Sequence, residues 1–495
     1  MSQGLLGFQY EVEKKESGLT AMAGLPVYLE FAHVMGLMGH LRTHLEISND
    51  DEGWRGDRVI MGLVLLNLAG GDCVDDLRIL ESDEGFCRVF RDIEGSVLPG
   101  KVRRAKNREL NKTSAILPSS STVFRTLRMF HDPLQESLRE SGKAFIPSSN
   151  ERLRGLMSVH KDFIADVQRR SPEKVATLDM DATLVETNKK DALHCYKGYK
   201  AYQPFNTYWA EQELMVHSEF RDGNVPAGFE QLRVFKEAIG SLPDGVKKVF
   251  LRSDTAGYQQ DLLKYCAEAK NKRFGVIEFA IGAEVNPEFK KAVLEVPDNE
   301  WISLGDSQEY AEVCFVPNWM ARKKHGPAYR YIAVRELLKQ QVLPGMEDQL
   351  DFPFQTMDMG PVRYKLTAII TNRDIPGDDL IKWYRQRCGK SEEAHSIMKE
   401  DLSGGKLPSG LFGANAAWWQ IMILAFNLNS AMKRLVLGGS WVTLRLKAIR
   451  FRLINLPGRV VKHAGALIIK LCGSNPLNNI LIEVRRRMLE LCESG

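Results

Sequence analysis

The 495-residue chain has eight cysteines, Cys73, Cys87, Cys195, Cys266, Cys314, Cys388, Cys472 and Cys492, and no two stand in C-x-x-C spacing. That excludes a zinc ribbon or a thioredoxin-like motif of this pattern. Cysteines scattered through a chain this long suggest a reducing compartment. No apolar run is long enough to span a bilayer; the longest lie near Ile60–Ala69 and Ile421–Leu428. Met1–Gly18 carries Glu11, Glu13, Lys14, Lys15 and Glu16 and lacks an apolar core, so no signal peptide is expected. The expectation is a soluble intracellular protein. Internal repeats and low-complexity tracts are also missing. So is a strong net charge: 67 Lys+Arg stand against 63 Asp+Glu, for +4. With 44% hydrophobic and 26% charged residues, the chain is not disordered, collagenous or a small disulfide scaffold. Its length should bury large cores and divide into roughly two to four domains.

What is present is a partition of charge. Residues 1–100 carry net −9, 101–170 carry +8, 171–435 carry −2 and 436–495 carry +7. Two basic segments therefore flank a near-neutral middle. Basic patches favour a polyanion by releasing counterions from phosphates. Solvated helix faces give the same pattern.

Residues 1–170 read mostly as helix. Gly56–Ala69 and Cys73–Leu80 form two helical stretches around a Gly-Gly break. Ser119–Thr122 supplies an N-cap for a helix in which Phe124, Leu127 and Phe130 share a face. Arg125 and Arg128 lie off that face, as on a recognition helix of a helix-turn-helix. An ordinary capped surface helix has the same appearance. From Glu173 the pattern changes to α/β. Strands are expected at Val175–Met180, Tyr199–Tyr208, Leu214–Phe220, Lys248–Arg252, Phe274–Ile281 and Tyr364–Thr371. Helices are expected at Pro226–Gly240 and Gly257–Lys272. Residues 286–365 lean towards strand, with a loop around Pro344–Pro353. Pro376–Glu400 reads as a helix with Asp378 and Asp379 in its first turn, and Ala416–Leu435 as an apolar helix.

Three carboxylates stand out by context. Asp181 closes the first strand in Leu178-Asp-Met-Asp-Ala-Thr183, Asp254 closes a later one in Leu251-Arg-Ser-Asp-Thr255, and Glu392 lies on the long helix. A strand-end Asp alone is more often a cap or turn residue. Converging at one sheet edge, the three would suit Mg²⁺ or Mn²⁺, which prefer oxygen ligands. Two such ions about 4 Å apart can activate a water or a 3′-hydroxyl and stabilise the leaving oxygen of a phosphodiester. Along the helix, Arg387 can pair a phosphate bidentately, Lys399 can neutralise another and Tyr384 can stack. Glu392 and Lys399 are seven apart, two turns on one face.

Asp181-Ala-Thr183, Arg252-Ser-Asp254 and the series Tyr384, Arg387, Glu392 and Lys399 resemble a DDE transposase of the IS4-like superfamily, IS1380 family. Ala23-Gly-Leu-Pro26, Gly70-Gly-Asp-Cys-Val-Asp-Asp-Leu77 and Leu456-Pro-Gly-Arg-Val-Val-Lys-His463 extend the likeness over most of the chain. The resemblance implies an α/β fold: an RNase H-like core (171–285 and 366–435) interrupted by a β-rich insertion (286–365). A helical DNA-binding region (1–170) would precede it and a helical basic region (436–495) follow. It implies cutting at terminal inverted repeats and joining of 3′-OH ends to target DNA by a bacterial, nucleoid-associated protein, a homodimer on paired ends. Asp181, Asp254 and Glu392 would hold two Mg²⁺ (or Mn²⁺) ions, and Tyr384, Arg387 and Lys399 would contact DNA phosphates. Four residues separate Arg387 from Glu392 where the superfamily signature has three. Glu393 therefore stays open as the third carboxylate, as does a helix beginning only after Cys388-Gly389.

Two alternatives remain. Asp179-Met-Asp181-Ala-Thr183 also resembles the opening motif of haloacid-dehalogenase-like phosphatases, with Asp179 as nucleophile, Asp181 as acid/base and Gly305-Asp-Ser307 as a late acidic motif. A domesticated DNA-binding protein without cleavage is the other.

Overall fold

The computed structural model describes residues 18–45, 54–96, 115–140, 142–320, 329–338, 352, 354–360, 362–464, 466–471, 473 and 475–493. The first part of the 101–170 basic segment and nearly all of the Pro344–Pro353 stretch lie outside the described residues. The chain forms two compact units. One takes in residues 1–132, 149–159 and 397–495, and the other residues 133–148 and 160–396. The division is discontinuous in sequence: the N-terminal arm and the C-terminal basic segment share a unit.

The first unit is largely helical. At its centre the helix Phe412–Met432 is buried along its whole length, with Trp418 and Trp419 fully covered. A helix apolar on every side has no face for water, so its neighbours must enclose it. Gly56–Ala69 packs against it, and Tyr28 Oη donates to Asn429 Oδ1 at 2.8 Å. No helix among the described residues is long and apolar enough to cross a membrane.

Residues 436–495 are not the helical region that the sequence predicts. Gly458–His463 and Ala466–Leu471 pair antiparallel and are joined by Leu19–Thr20 in a three-stranded sheet. The reason is local: burial alternates residue by residue along Ala466–Leu471, the period of a strand and not of a helix. Among the described residues there, Asn478–Glu493 is the one long helix.

The second unit is built on a ten-stranded sheet. Its strands are, in chain order, β1 (Val175–Ala182), β2 (Phe205–Trp209), β3 (Leu214–Glu219), β4 (Lys248–Ser253), β5 (Glu278–Ala283), β6 (Ile302–Gly305), β7 (Gln308–Val313), β8 (Arg330–Leu337), β9 (Thr356–Met359) and β10 (Val362–Thr371). The spatial order is β3-β2-β1-β4-β5-β10-β8-β7-β6, with β9 on β10. β1, β4 and β5 are parallel; β2 pairs antiparallel with β1, and β3 pairs antiparallel with β2. The helix Gln260–Ala267 carries the chain from β4 to β5, the crossover that a parallel pair requires. The strand-leaning stretch 286–365 supplies β6 to β9 and the start of β10, which continue the same sheet beyond β5 through β10.

The helix Gly377–Ser396 begins just after Pro376, with Asp378 and Asp379 at its positive end and an Asp378–Lys382 pair at 2.9 Å. Leu380 and Ile381 pack with Tyr310, Ile332, Val334 and Ile369, and Trp383 and Tyr384 extend the contact. The helix thus lies on the sheet face. Its first residue has no room for a side chain, since a Cβ on Gly377 would lie 2.3 Å from the Tyr310 ring. Gly377→Ala should therefore destabilise the protein by about 1–3 kcal/mol through overpacking. A denaturation midpoint unchanged from wild type would refute that packing.

Candidate active site

Strand register places the two aspartates. β1 and β4 pair in parallel, with Asp179 opposite Arg252 and Met180 opposite Ser253. Asp181 and Asp254 follow one residue later on neighbouring strand ends. Side chains alternate along a strand, so Asp179, Asp181, Arg252 and Asp254 all face one side of the sheet. Asp254 also caps a 3₁₀ turn, its Oδ1 accepting from Ala256 N at 3.1 Å. Asp181 stands opposite Asn206 of β2.

Beneath the aspartates lies a buried ion pair. Arg252 Nε and Nη2 donate to the two oxygens of Asp179 at 2.5 and 2.8 Å. Both side chains are essentially inaccessible, at 1% and 0% exposure. Burial pushes the Asp179 carboxyl up, and Arg252 pulls it back down. The third arm of the guanidinium, Nη1, donates to the Trp383 carbonyl at 2.6 Å, and the group sits 5.1 Å from the Trp383 ring. One arginine therefore ties β1, β4 and the helix together.

Further anchors follow along the helix. Tyr384 Oη donates to the Ser253 carbonyl at 3.2 Å. Arg387 Nη1 lies 3.4 Å from Asp181 Oδ2. His395 Nε2 and Asn206 Nδ2 share a hydrogen bond of 3.1 Å, and Asn206 Oδ1 accepts from Ser218 Oγ at 2.6 Å. The helix is continuous from Gly377 to Ser396. Tyr384 and Arg387 are therefore part of it, and a start after Gly389 does not occur.

The electrostatics converge on Asp181. Burial pushes its carboxyl up to about 6; Asp254 and Glu392 add to the rise, and the Arg387 guanidinium opposes it. Glu392 and Glu393 are both exposed, but they act in different places. The charge of Glu392 is felt at Asp181, and that of Glu393 at Tyr208. Arg387 Nε is buried and has no hydrogen-bond partner among the described residues, so the guanidinium retains a free donor beside the carboxylates.

The other expected contacts lie elsewhere. Lys399 is in the other compact unit, in a π turn at Ile397–Asp401. The α-helical repeat behind the two-turn spacing ends at Ser396. Arg125 and Arg128 also belong to that unit. They are exposed on Ser120–Arg128, whose N-cap Ser119 accepts from Thr122 N. Phe124 is not on the buried face of that helix. It is 41% exposed, while Val123, Thr126, Leu127 and Phe130 are buried, so Leu127 and Phe130 lie on the expected face and Phe124 does not.

The phosphatase alternative fails on geometry. Asp179 is sealed in its pair with Arg252. Asp306 and Ser307 form the left-handed tip of the β6–β7 hairpin, and β7 is five strand positions from β1. At about 4.8 Å per strand that is roughly 24 Å.

Asp181, Asp254 and Glu392 are an all-oxygen donor set of the kind hard divalent cations take. Burial and mutual repulsion at Asp181 are what such a cation would offset. Among the described residues, no three His, Cys, Asp or Glu are grouped closely enough to hold a metal ion. In this geometry Arg387 is the cation facing Asp181. Asp179, read from sequence only as a nucleophile, and Arg252, read only as part of a motif, form the ion pair beneath the site, and sequence reasoning did not single out Asn206 or His395. The i, i+2 spacing of Asp179 with Asp181 and of Arg252 with Asp254 was the signal for two of them.

The family model described as transposase DDE domain group 1 matches residues 7–492. The chain belongs to that family. The transposase is accordingly an enzyme of DNA cleavage and strand transfer. No match is found among curated proteins. Among solved structures it is similar to a piggyBac transposase seen by cryo-electron microscopy in a synaptic complex with hairpin DNA. The two are 12% identical over 96% of this chain and 82% of that one, with a TM-score of 0.39.

Arg252→Leu should cost about 3–5 kcal/mol, because Asp179 is left buried without its partner. Adding Asp179→Leu should recover part of that loss; urea midpoints that show no recovery would refute the pair's role. A second outcome concerns pH. A carboxyl raised in the folded state favours folding while protonated. For Asp181 that contribution is complete below its ordinary value of 3.8 and is lost as pH rises through about 6. In metal-free buffer Asp181→Asn should therefore stabilise the transposase at neutral pH by roughly 2–3 kcal/mol. The gain should shrink as pH falls towards about 4. Melting temperatures across this range check it, and a destabilised Asn variant at neutral pH would contradict it.

Proposed function

We propose that the transposase mobilises an insertion sequence of the IS1380 family, cutting at terminal inverted repeats and joining the freed 3′-OH ends to target DNA. The observation carrying this reading is the adjacency of Asp181 and Asp254 on parallel strand ends, under a helix whose Glu392 acts electrostatically on Asp181. The strand order β3-β2-β1-β4-β5, with β2 alone antiparallel to β1 and β3, β4 and β5 running in its direction, supports an RNase H-like core.

In this reading Asp181, Asp254 and Glu392 hold two Mg²⁺ or Mn²⁺ ions. When bound, these supply activation of the attacking oxygen and charge neutralisation at the leaving one. The chain's own residues set the geometry. The Asp179–Arg252 pair fixes the two strand ends, and Trp383 and Tyr384 hold the helix over them. Arg387 has its unpartnered Nε to offer and passes from Asp181 to a DNA phosphate as substrate arrives. Glu392 is the third ligand in preference to Glu393, because its charge is the one felt at Asp181. Residues 1–170, with Arg125 and Arg128 exposed, bind the element ends. The basic region 436–495 and Lys399 add DNA or dimer contacts.

The test is incubation of the transposase with the DNA flanking its own gene, with and without Mg²⁺, and mapping of the cut ends. Asp181→Ala, Asp254→Ala or Glu392→Ala should abolish cleavage while leaving end binding largely intact. Full Mg²⁺-dependent cleavage by Asp181→Ala would refute the assignment. Binding without cleavage by the wild type would favour a domesticated DNA-binding protein.

A further inference from the structure

The motif Leu456-Pro-Gly-Arg-Val-Val-Lys-His463 lies in the other compact unit from the carboxylates. It supplies the first strand of a hairpin, Gly458–His463, whose return strand is Ala466–Leu471. Leu19–Thr20 pairs only with Arg459 and Gly458. Beyond that point the hairpin is a two-stranded ribbon, and the outer edge of Ala466–Leu471 has no strand neighbour among the described residues. One face of the ribbon is anchored: Val460 is 1% exposed, and Gly458–His463 packs against the helix Glu84–Ser96. Side chains alternate along a strand, so Arg459, Val461 and His463 lie on the other face. The register sets Lys470, Ile468 and Ala466 directly across from them. Arg459, His463, Ala466, Ile468 and Lys470 are all exposed.

Charge on that face has one sign. Arg459 stands directly opposite Lys470, and like charges facing each other across a strand pair destabilise it. From Gly458 to Leu471 the chain carries Arg459, Lys462, His463 and Lys470 and no Asp or Glu. None of Arg459, Lys462 and Lys470 has an ion pair or a side-chain hydrogen bond among the described residues. Val461 and Ile468 form a narrow apolar strip beside the cations. Such a face is complementary to a polyanion: phosphates relieve the repulsion, and released counterions favour the contact. A second copy laid face to face would set cations against cations. The DNA major groove is about 12 Å wide and admits a two-stranded ribbon, whose strands lie about 4.8 Å apart.

We propose that the ribbon Gly458–Leu471 enters the major groove of the element-end DNA. Arg459 and Lys470 neutralise phosphates at the groove edge. Val461 and Ile468 face the base edges, where the thymine methyl is the apolar group on offer. The inference rests on the end-binding reading above and assigns part of the basic region 436–495 to a groove rather than to a contact between copies.

The test uses the full-length transposase without Mg²⁺, so that nothing is cut, and two labelled duplexes of equal length: the DNA flanking its own gene and an unrelated sequence. Dissociation constants are measured across a salt series. In about 0.1 M salt the double variant Arg459→Gln/Lys470→Gln should bind the flanking duplex roughly 60-fold more weakly. Its plot of log affinity against log salt should be shallower by about 1.8, the change expected for two lost phosphate contacts. Guanine N7 lies in the major groove, so guanines that the wild type protects from dimethyl sulfate should become reactive with the variant. Both side chains are exposed, so their substitution leaves folding intact. Lys470→Glu separates binding from folding: the new carboxylate faces Arg459, so the free protein should melt at a higher temperature while its DNA binding weakens. If the double variant keeps the wild-type salt slope and footprint, the ribbon assignment is overturned and the end-cutting reading stands on its own assay. If the variants self-associate less while each protomer binds DNA as the wild type does, the ribbon is a contact between copies and the assignment is equally overturned. If the wild type binds the flanking duplex no more tightly than the unrelated one, the end-binding reading falls and the ribbon's role falls with it.

Discussion

The site depends on the ion pair between Asp179 and Arg252. Both groups are buried, and stripping water from two charges is expensive unless geometry and further hydrogen bonds repay it. Here they do: the guanidinium meets both carboxylate oxygens, and its third arm reaches the Trp383 carbonyl. The pair sits one side-chain step below Asp181 and Asp254 on the same two strands. Whatever holds Asp179 and Arg252 in register therefore holds the two strand ends in register. The same arginine bonds the Trp383 carbonyl, so one group ties the helix to the two strands that carry Asp181 and Asp254.

Above that frame the electrostatics are unfavourable without a cation. Asp181 carries the burden, with burial, Asp254 and Glu392 all pushing its carboxyl up. Arg387 compensates in part, at 3.4 Å. A buried carboxyl pushed up by its neighbours gives up some stability, and perturbed groups of this kind are candidates for functional sites. Arg387 is an internal counter-charge to Asp181 in this geometry.

The remaining architecture supports this arrangement. β6 to β10 lengthen the sheet, and β7, β8 and β10 supply the apolar bed on which Leu380 and Ile381 rest. In the other unit the enclosed helix Phe412–Met432 performs the same service for the N- and C-terminal segments, which its apolar circumference draws together.

Much of this was legible in the residues. Val175–Met180 and Lys248–Arg252 declare themselves as strands by apolar runs ending in acidic turns, and Pro376 with Asp378 and Asp379 marks a helix start. Asp181, Asp254 and Glu392 stand out because carboxylates at strand ends and on a following helix are a chemical pattern as well as a structural one. Local rules placed Phe124 on the buried face of its helix, where it does not lie. They also assigned helix to the region 436–495, where Gly458–His463 and Ala466–Leu471 are strands. Two further matters depended on contacts between segments far apart in the chain. Strand register decided that Asp179 would be spent on Arg252 and closed to chemistry. The packing of the helix brought the charge of Glu392 to bear on Asp181. The sequence by itself determined which groups were available, because residue type and spacing set charge and period. Only the tertiary structure decided which were buried, paired or left facing one another, because desolvation and register arise only when those strands and that helix come together.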